Sequence, residues 1–226
     1  MIDANRLRWT IQEGRRTIVV DRRPPRGTVH GPPIDTEDLV HPYLGPIATV
    51  HGRWLGRESF HAGAFATPAG AWLVVGPKEA GKSSLLAALH RAGHPVVCDD
   101  IAVLDGTNIL AGPRAVDLRE RPDDLDAALV REGERWRVGL PPIALRLPLA
   151  GWVELRWSDR RTLQDVPVAE RLRRLAGWRQ WQALASNPHA FLELAALPGF
   201  VFERPRGQMA RDVEAIVDLC GRQQRA

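Results

Sequence analysis

The sequence predicts an α/β fold, and three observations lead to this prediction. Strand-like and helix-like segments alternate after about residue 70. A run of apolar residues, AWLVV at 71–75, leads directly into a glycine-containing turn, and a helical pattern follows at 83–93. Apolar residues make up 44% of the 226-residue chain and charged residues 26%, which is typical of globular proteins.

The N-terminal section, residues 1–56, is predicted to be small and β-rich and to pack on a core of residues 57–226. Residues 17–20 (TIVV) and 47–55 (IATVHGRWL) have the composition of strands. The stretch between them, at 22–33, is rich in proline, glycine and arginine, which predicts a loop.

The core is predicted to alternate strands with helices. A hairpin spans 60–75, the helix at 83–93 ends on a glycine, and a second hairpin turns at Asp105 and Gly106. The other predicted elements are a strand at 95–98, a helical fragment at 123–130, a strand at 152–157, helices at 165–185 and 187–198, a strand at 201–205 and a terminal helix at 208–220.

The composition argues against several classes of protein. No run of about 18 apolar residues is present, so neither a membrane span nor a membrane partner is expected. The first residues carry charge where a signal peptide needs an apolar stretch, and a cytoplasmic protein is expected. The net charge of +4 comes from dispersed arginines, so no nucleic-acid partner is predicted. Cys98 and Cys220 have no metal-ligand spacing and are predicted to be reduced thiols.

Residues 76–83, GPKEAGKS, match the phosphate-binding pattern G-x-x-x-x-G-K-[ST] without a mismatch. In this pattern backbone N–H groups and a helix N-terminus surround the phosphates. Lys82 would reach the β- and γ-phosphates, and the Ser83 hydroxyl would ligate Mg²⁺, so ATP and Mg²⁺ are the predicted cofactors. The residues predicted to bind the nucleotide are Gly76, Pro77, Lys78, Glu79, Ala80, Gly81, Lys82, Ser83 and Ser84.

The charges in this segment are unusual for the chain. Of its 31 lysines and arginines only Lys78 and Lys82 are lysines, and a compact ammonium fits between phosphates where a planar guanidinium does not. Glu79 is unfavourable beside a triphosphate unless its side chain points outward or pairs with Lys78.

Two adjacent aspartates, Asp99 and Asp100, end the strand that follows the helix. In a fold with such a loop this strand often lies close to the phosphates. One carboxylate could then accept a proton from a substrate hydroxyl, and the other could hold water on the metal. A solvated turn is the alternative interpretation of the same two residues.

Residues 61–106 resemble the core of the HPr kinase/phosphorylase family, bacterial serine kinases whose catalytic domain resembles phosphoenolpyruvate carboxykinase. The resemblance rests on a histidine before a hairpin, a strand, the GKS loop, a helix closing with Gly-His, and a strand ending in Asp-Asp. It implies that Asp100 is the catalytic base, that Asp99 is an auxiliary acid and metal ligand, and that His61 is the active-site histidine. It also implies a serine-containing peptide or protein acceptor and a homo-oligomer.

The chain departs from this family in two places. The stretch before His61 is too short for the family's N-terminal domain, and the family's later E-I-R-G-like block has no clear match. Residues 113–122 take the place of that block, where Asp117 or Glu120 could supply a second metal ligand. Arg137 could stabilise charge on the transferring phosphoryl group.

The sequence therefore predicts an ATP-dependent kinase that phosphorylates a serine hydroxyl. Short relatives of this family include kinases of lasso-peptide precursors, and the size of this chain fits that group. A nucleotide-binding switch or ATPase without a transfer substrate, and a kinase of small-molecule hydroxyls, remain alternatives. Trp178 and Trp181 form either a peptide-docking face or core packing. The arginines of 171–174 either attract an acidic peptide or lie on a solvated helix face.

Overall fold

The protein is described by a computed structural model over residues 7–121, 128–131, 135–180 and 188–223. It is a mixed α/β structure. The strands are β1 Arg8–Glu13, β2 Arg16–Asp21, β3 Arg26–His30, β4 Glu58–His61, β5 Gly63–Thr67, β6 Gly70–Val75, β7 Val96–Cys98, β8 Ile101–Asp105, β9 Asn108–Leu110, β10 Ala115–Leu118, β11 Ala128–Arg131, β12 Arg135–Gly139, β13 Arg146–Trp157, β14 Thr162–Asp165 and β15 Gly199–Arg204. The helices are α1 Thr36–Asp38, α2 Leu44–Trp54, α3 Lys82–Arg91, α4 Val168–Gly177, α5 Pro188–Ala196 and α6 Met209–Gln223, with a π-helical segment at Leu39–Tyr43.

One large mixed sheet organises the chain after residue 57. Within the described residues it has nine strands in the order β4-β8-β9-β13-β6-β5-β7, with β15 joined to β13 and β14 joined to β15. Strand β13 pairs in parallel with both β6 and β15. The strand that leads into the glycine-containing loop is therefore held in the middle of the sheet.

The two faces of the large sheet carry separate cores. Strand β6 is buried along its length, and its side chains alternate between the faces. Trp72 and Val74 pack in a cluster with residues of α3 and α6, whereas Leu73 and Val75 pack in a cluster with residues of α4 and α5. This arrangement of helices on both faces fixes the carboxyl end of β6, where the loop begins.

The N-terminal section has a core of its own. Strands β1, β2 and β3 form an antiparallel sheet, and α2 packs against it. The buried residues of this cluster are Trp9, Ile18, Val20, Tyr43 and Val50. The division of the chain after residue 56 stays a prediction.

Two predictions for the N-terminal section were wrong. Residues 47–55 were predicted to be a strand from their β-branched residues, yet they belong to helix α2. Ile47, Val50 and Trp54 recur at the spacing of one helix face, and that face packs on the three-stranded sheet. The predicted loop at 22–33 contains strand β3, which pairs with β2 beyond the two prolines.

Two further predictions need correction in the core. The helical fragment at 123–130 falls partly outside the described residues, and its last residues belong to strand β11, which pairs with β12. The helix at 165–185 ends at Gly177 because residues 178–180 instead pair with the edge of β4: the Gln180 N–H donates to the Ser59 carbonyl at 2.8 Å. Residues 181–187 lie outside the described part of the chain.

Candidate active site

The loop that matches the phosphate-binding pattern lies between β6 and α3. It joins the end of a buried strand to the first turn of a ten-residue helix. Gly81 adopts φ +79°, and a Cβ at this position would lie 2.6 Å from Nη2 of Arg204, so only glycine fits. Gly81 is the N-cap residue of α3, and within the described residues no side chain of the N-cap accepts a hydrogen bond from the helix. The N–H groups of the first turn are therefore available to an anion.

The Lys82 side chain is folded over this loop. Its Nζ donates to the carbonyl oxygens of Gly76, at 2.8 Å, and of Pro77, at 3.1 Å. Burial lowers the pKa of Lys82, and the negative charges of Asp100 and Asp99 oppose that shift. An ammonium has three donors, so this lysine can hold its own loop and still donate to a phosphate.

Ser83 and Asp99 form the second part of the site. The Ser83 hydroxyl donates to Oδ1 of Asp99 at 3.0 Å, and the backbone N–H of Asp117 approaches Oδ2 at 3.3 Å. Burial raises the pKa of Asp99 to about 6, the hydrogen bond from Ser83 opposes this, and the charge of Asp100 adds to it. A hydroxyl beside a carboxylate suits Mg²⁺, which takes few protein oxygens and keeps water and phosphate as its other ligands.

Arg137 and Asp117 form an ion pair next to Asp99. The guanidinium of Arg137 donates to both carboxylate oxygens of Asp117, at 2.7 and 2.8 Å, and Arg137 is only 4% exposed. A buried bidentate pair of this kind fixes the backbone of Asp117 and hence its contact to Asp99. The structure does not test the predicted roles of Asp117 in metal ligation and of Arg137 in phosphoryl stabilisation.

Asp100 occupies a strained turn. Its φ is +68°, and the N–H of Ile101 donates to the carbonyl of Asp99 at 2.8 Å. A three-residue turn with positive φ at its centre is rare, and positive φ is unfavourable for residues with a side chain, although less so for aspartate and asparagine. Backbone strain of this kind persists only where the surrounding structure maintains it, and it occurs most often at functional sites.

Two histidines face the Asp100 carboxylate. His61 Nδ1 lies 3.3 Å from Oδ1, and His41 Nε2 lies 3.8 Å from Oδ2. Burial alone would raise the pKa of Asp100, but the hydrogen bond from His61 and the charges of His41, His61 and Lys82 outweigh it and lower the pKa. These neighbours favour the carboxylate form of Asp100, which is the form that can accept a proton.

The side chain of Glu79 points away from the loop. Its carboxylate pairs with Arg119 at 2.6 Å rather than with Lys78, and it is 62% exposed. The Glu79 carbonyl accepts a hydrogen bond from Nε1 of Trp157 at 2.8 Å. The unfavourable charge that the sequence places in the loop is thus directed toward solvent and paired.

Arg204 anchors the loop from below, a contact that the sequence does not reveal. It is fully buried, donates to the Ala80 carbonyl at 2.8 Å and pairs with Asp212 at 2.6 Å. Its guanidinium also lies 4.2 Å from the centre of the Trp157 ring. These contacts connect the loop to β15 and α6.

Replacing Arg204 with methionine is expected to lower the free energy of unfolding by about 3 kcal/mol, because Asp212 loses a buried partner. It should also weaken ATP binding, since the loop loses its anchor. Urea denaturation and nucleotide titration measure the two effects. Arg206→Met is the matched control: Arg206 also stacks on Trp157, but it is exposed. Equal effects of the two substitutions would contradict a special role for Arg204.

The raised pKa of Asp99 makes stability depend on pH. Between about pH 4 and pH 6 the folded chain binds this proton more tightly than the unfolded chain, so the free energy of unfolding falls as pH rises. In urea titrations with EDTA, we expect the wild type to lose about 1 to 2 kcal/mol relative to Asp99→Asn between pH 4 and pH 7. This range is smaller than the free energy that the full pKa shift would give, because Asp99 is partly exposed to solvent. If the wild type instead became more stable relative to Asp99→Asn as pH rises from 4 to 7, the raised pKa of Asp99 would be contradicted.

Other predicted site residues lie outside this cluster. Glu120 is exposed after β10, and the structure does not test its predicted role as a metal ligand. The Trp178 side chain is half-buried against the core, and its backbone carbonyl accepts a hydrogen bond from the His61 N–H at 3.0 Å. Trp181 lies outside the described residues. In the 171–174 cluster, Arg171 and Arg174 are engaged in hydrogen bonds that hold α4, and Arg173 is 80% exposed.

Two structural features are absent from the described residues. No group of three or more histidine, cysteine, aspartate or glutamate side chains is arranged to hold a metal ion there. Within the same part of the chain, no helix has the length and apolar character needed to cross a membrane.

The chain is similar to known proteins in structure. No protein-family model matches the chain, and no curated protein matches it. Among solved structures, it is similar to the Hpr(Ser) kinase/phosphatase from Coxiella burnetii, with 13% sequence identity and a TM-score of 0.40. The similarity covers 75% of this chain and 99% of that one. At these values it supports no conclusion about function.

Proposed function

We propose that this protein is an ATP-dependent kinase that transfers the γ-phosphoryl group to a serine hydroxyl of a peptide or protein. The observation that supports this most strongly is the position of Asp100, which has a positive φ and lies between two histidines beside the loop that matches the phosphate-binding pattern. A nucleotide-binding loop alone would serve a switch equally well. A carboxylate that lies between two imidazoles and beside this loop could act as a base for a hydroxyl acceptor.

The residues of the loop would position the donor. The N–H groups at the start of α3 and the ammonium of Lys82 would bind the phosphates, and Ser83 with Asp99 would hold Mg²⁺. When bound, Mg²⁺ neutralises charge on the phosphate oxygens and orients them. Most of the rate enhancement would come from this positioning and from charge stabilisation.

Asp100 would act on the acceptor. It takes the proton of the serine hydroxyl as the serine oxygen bonds to the γ-phosphorus. The bond from that phosphorus to the bridging oxygen breaks, and ADP leaves with the electron pair. The products are phosphoserine, ADP and a protonated Asp100, which returns its proton to solvent.

The acceptor class follows from the family resemblance of residues 61–106. A ribosomal lasso precursor peptide ending in serine belongs among the candidates, together with an HPr-type protein. The proposal includes a homo-oligomeric protein, as the resemblance implies, located in the cytoplasm.

A screen of acceptors tests the proposal. The full chain is incubated with Mg²⁺ and γ-labelled ATP, and both ADP and labelled product are measured. The acceptors are HPr, free serine, serine-terminated peptides and a lasso precursor. A serine kinase produces label in one acceptor and ADP that depends on that acceptor. ADP formed at one rate with every addition, without labelled product, indicates an ATPase or switch instead.

A further inference from the structure

His41 contributes to the site from a different part of the chain than the other residues. It lies in the N-terminal section, whereas the loop, Asp99, Asp100 and His61 all belong to the large sheet and its connections. Its Nε2 is 3.8 Å from Oδ2 of Asp100, while His61 approaches the other carboxylate oxygen, Oδ1. Each oxygen of the carboxylate therefore faces its own imidazole.

The backbone around His41 directs this side chain. His41 has extended dihedral angles, φ −139° and ψ 126°, inside the otherwise helical segment Leu39–Tyr43. The next helix begins at Leu44, so the extended residue forms a kink between two helical stretches. Tyr43 is buried, and its hydroxyl accepts a hydrogen bond of 2.9 Å from Arg16 of β2. The kink is thereby anchored to the three-stranded sheet.

The same segment docks against the turn that carries Asp100. A Cβ at Gly45 would overlap Cδ1 of Ile101, the residue immediately after Asp100. The absence of a side chain at Gly45 allows this approach, which brings the start of α2 against the start of β8. The N-terminal section is thus in direct contact with the segment that holds the base.

We propose that His41 is a positioning residue for Asp100, so that the N-terminal section completes the active site. This inference rests on the proposed kinase function. With one imidazole at each oxygen, the carboxylate is restrained from rotating and keeps a lone pair directed at the acceptor hydroxyl. The distance of 3.8 Å is an electrostatic contact, and contacts of catalytic groups commonly shorten in the reacting complex.

The contact should matter for rate rather than for stability. The side chains of His41 and Asp100 are 33% and 44% exposed, so solvent screens their attraction and its contribution to folding is small. A displaced base, in contrast, loses much of its efficiency because proton transfer requires close alignment. A substitution at His41 therefore separates the two effects.

The kinetic test compares His41→Leu, His41→Gln and a matched control, His30→Gln. His30 is an exposed histidine at the end of β3. We expect His41→Leu to lower kcat about tenfold with KM for ATP changed less than about twofold. His41→Gln, whose amide N–H can still face the carboxylate, should recover most of the rate, and His30→Gln should match wild type. Wild-type kcat in His41→Leu, or a loss confined to KM for ATP, would overturn the inference.

A second measurement does not depend on activity. Imidazole proton signals of the histidines are recorded by NMR for wild type and Asp100→Asn. The inference requires the signals of His41 and His61 to shift while that of His30 does not. An unchanged His41 signal would overturn it even if the kinase is active. A shifted His41 signal in a chain that labels no acceptor would instead overturn the kinase function. If His41→Leu does not fold, His41→Asn replaces it, because its shorter amide cannot reach Asp100.

Discussion

Asp100→Asn lowers the rate of phosphoryl transfer by about 10²- to 10⁴-fold, the range expected when a general base is removed. The amide keeps the size of the side chain and tolerates positive φ, so the turn and its contacts persist. Nucleotide affinity should stay within about threefold of wild type, because Asp100 acts on the acceptor rather than on the phosphates. Single-turnover transfer and equilibrium ATP titration measure the two quantities.

A pair of further substitutions separates the strain at Asp100 from its chemistry. Asp100→Ala and Asp100→Gly both remove the carboxylate, but only glycine removes the Cβ that disfavours φ +68°. Both should be inactive, and the glycine variant should be more stable than the alanine variant by about 1 kcal/mol. Equal stabilities in urea denaturation would contradict a strained turn at this position. Residual transfer near the wild-type rate in either variant would remove Asp100 from its proposed role.

Lys82→Met lowers kcat/KM for ATP by about 10²- to 10³-fold, the cost of removing one preorganised charge from a transferring group. Methionine keeps the length and packing of the buried side chain and loses only the ammonium. The loop should persist, because Arg204 and Trp157 hold it through the Ala80 and Glu79 carbonyls. Initial rates over a range of ATP concentrations give the value.

The chain offers a close control for this experiment. Lys78 is the only other lysine, lies in the same loop and is exposed. Lys78→Met changes the net charge equally, so general attraction of ATP is weakened by the same amount in both variants. We expect less than about a tenfold effect at Lys78. Comparable losses in the two variants would mean that Lys82 has no specific contact with the phosphates.

The order of the core elements was largely predictable because its signals are local. The buried run at 71–75, the glycine-containing loop and the apolar spacing of the following helix are adjacent in sequence, and they appear as β6, the loop and α3. Residues 47–55 show where this reasoning fails. Their β-branched composition favours a strand, but packing on the three-stranded sheet requires a helix with one apolar face.

The same distinction between local and long-range signals applies to the residues of the candidate site. Lys82, Ser83, Asp99 and Asp100 could be recognised because their spacing follows from one strand, one loop and one helix. His41 and Arg204 could not, because each reaches the site through contacts between distant segments. The pairing of Arg137 with Asp117 depends on the register of β10 against β12, which no local pattern of the sequence specifies.

Mass spectrometry of the acceptor tests the kinase function most directly. The full chain is incubated with Mg²⁺, ATP and either a serine-containing acceptor peptide or its Ser→Ala counterpart. The amounts of phosphopeptide and of ADP are measured in the same reaction. We predict one phosphoserine for each ADP with the serine peptide and neither product above background with the alanine peptide. Equal ADP release with both peptides and no phosphoserine in either would contradict transfer to a serine hydroxyl.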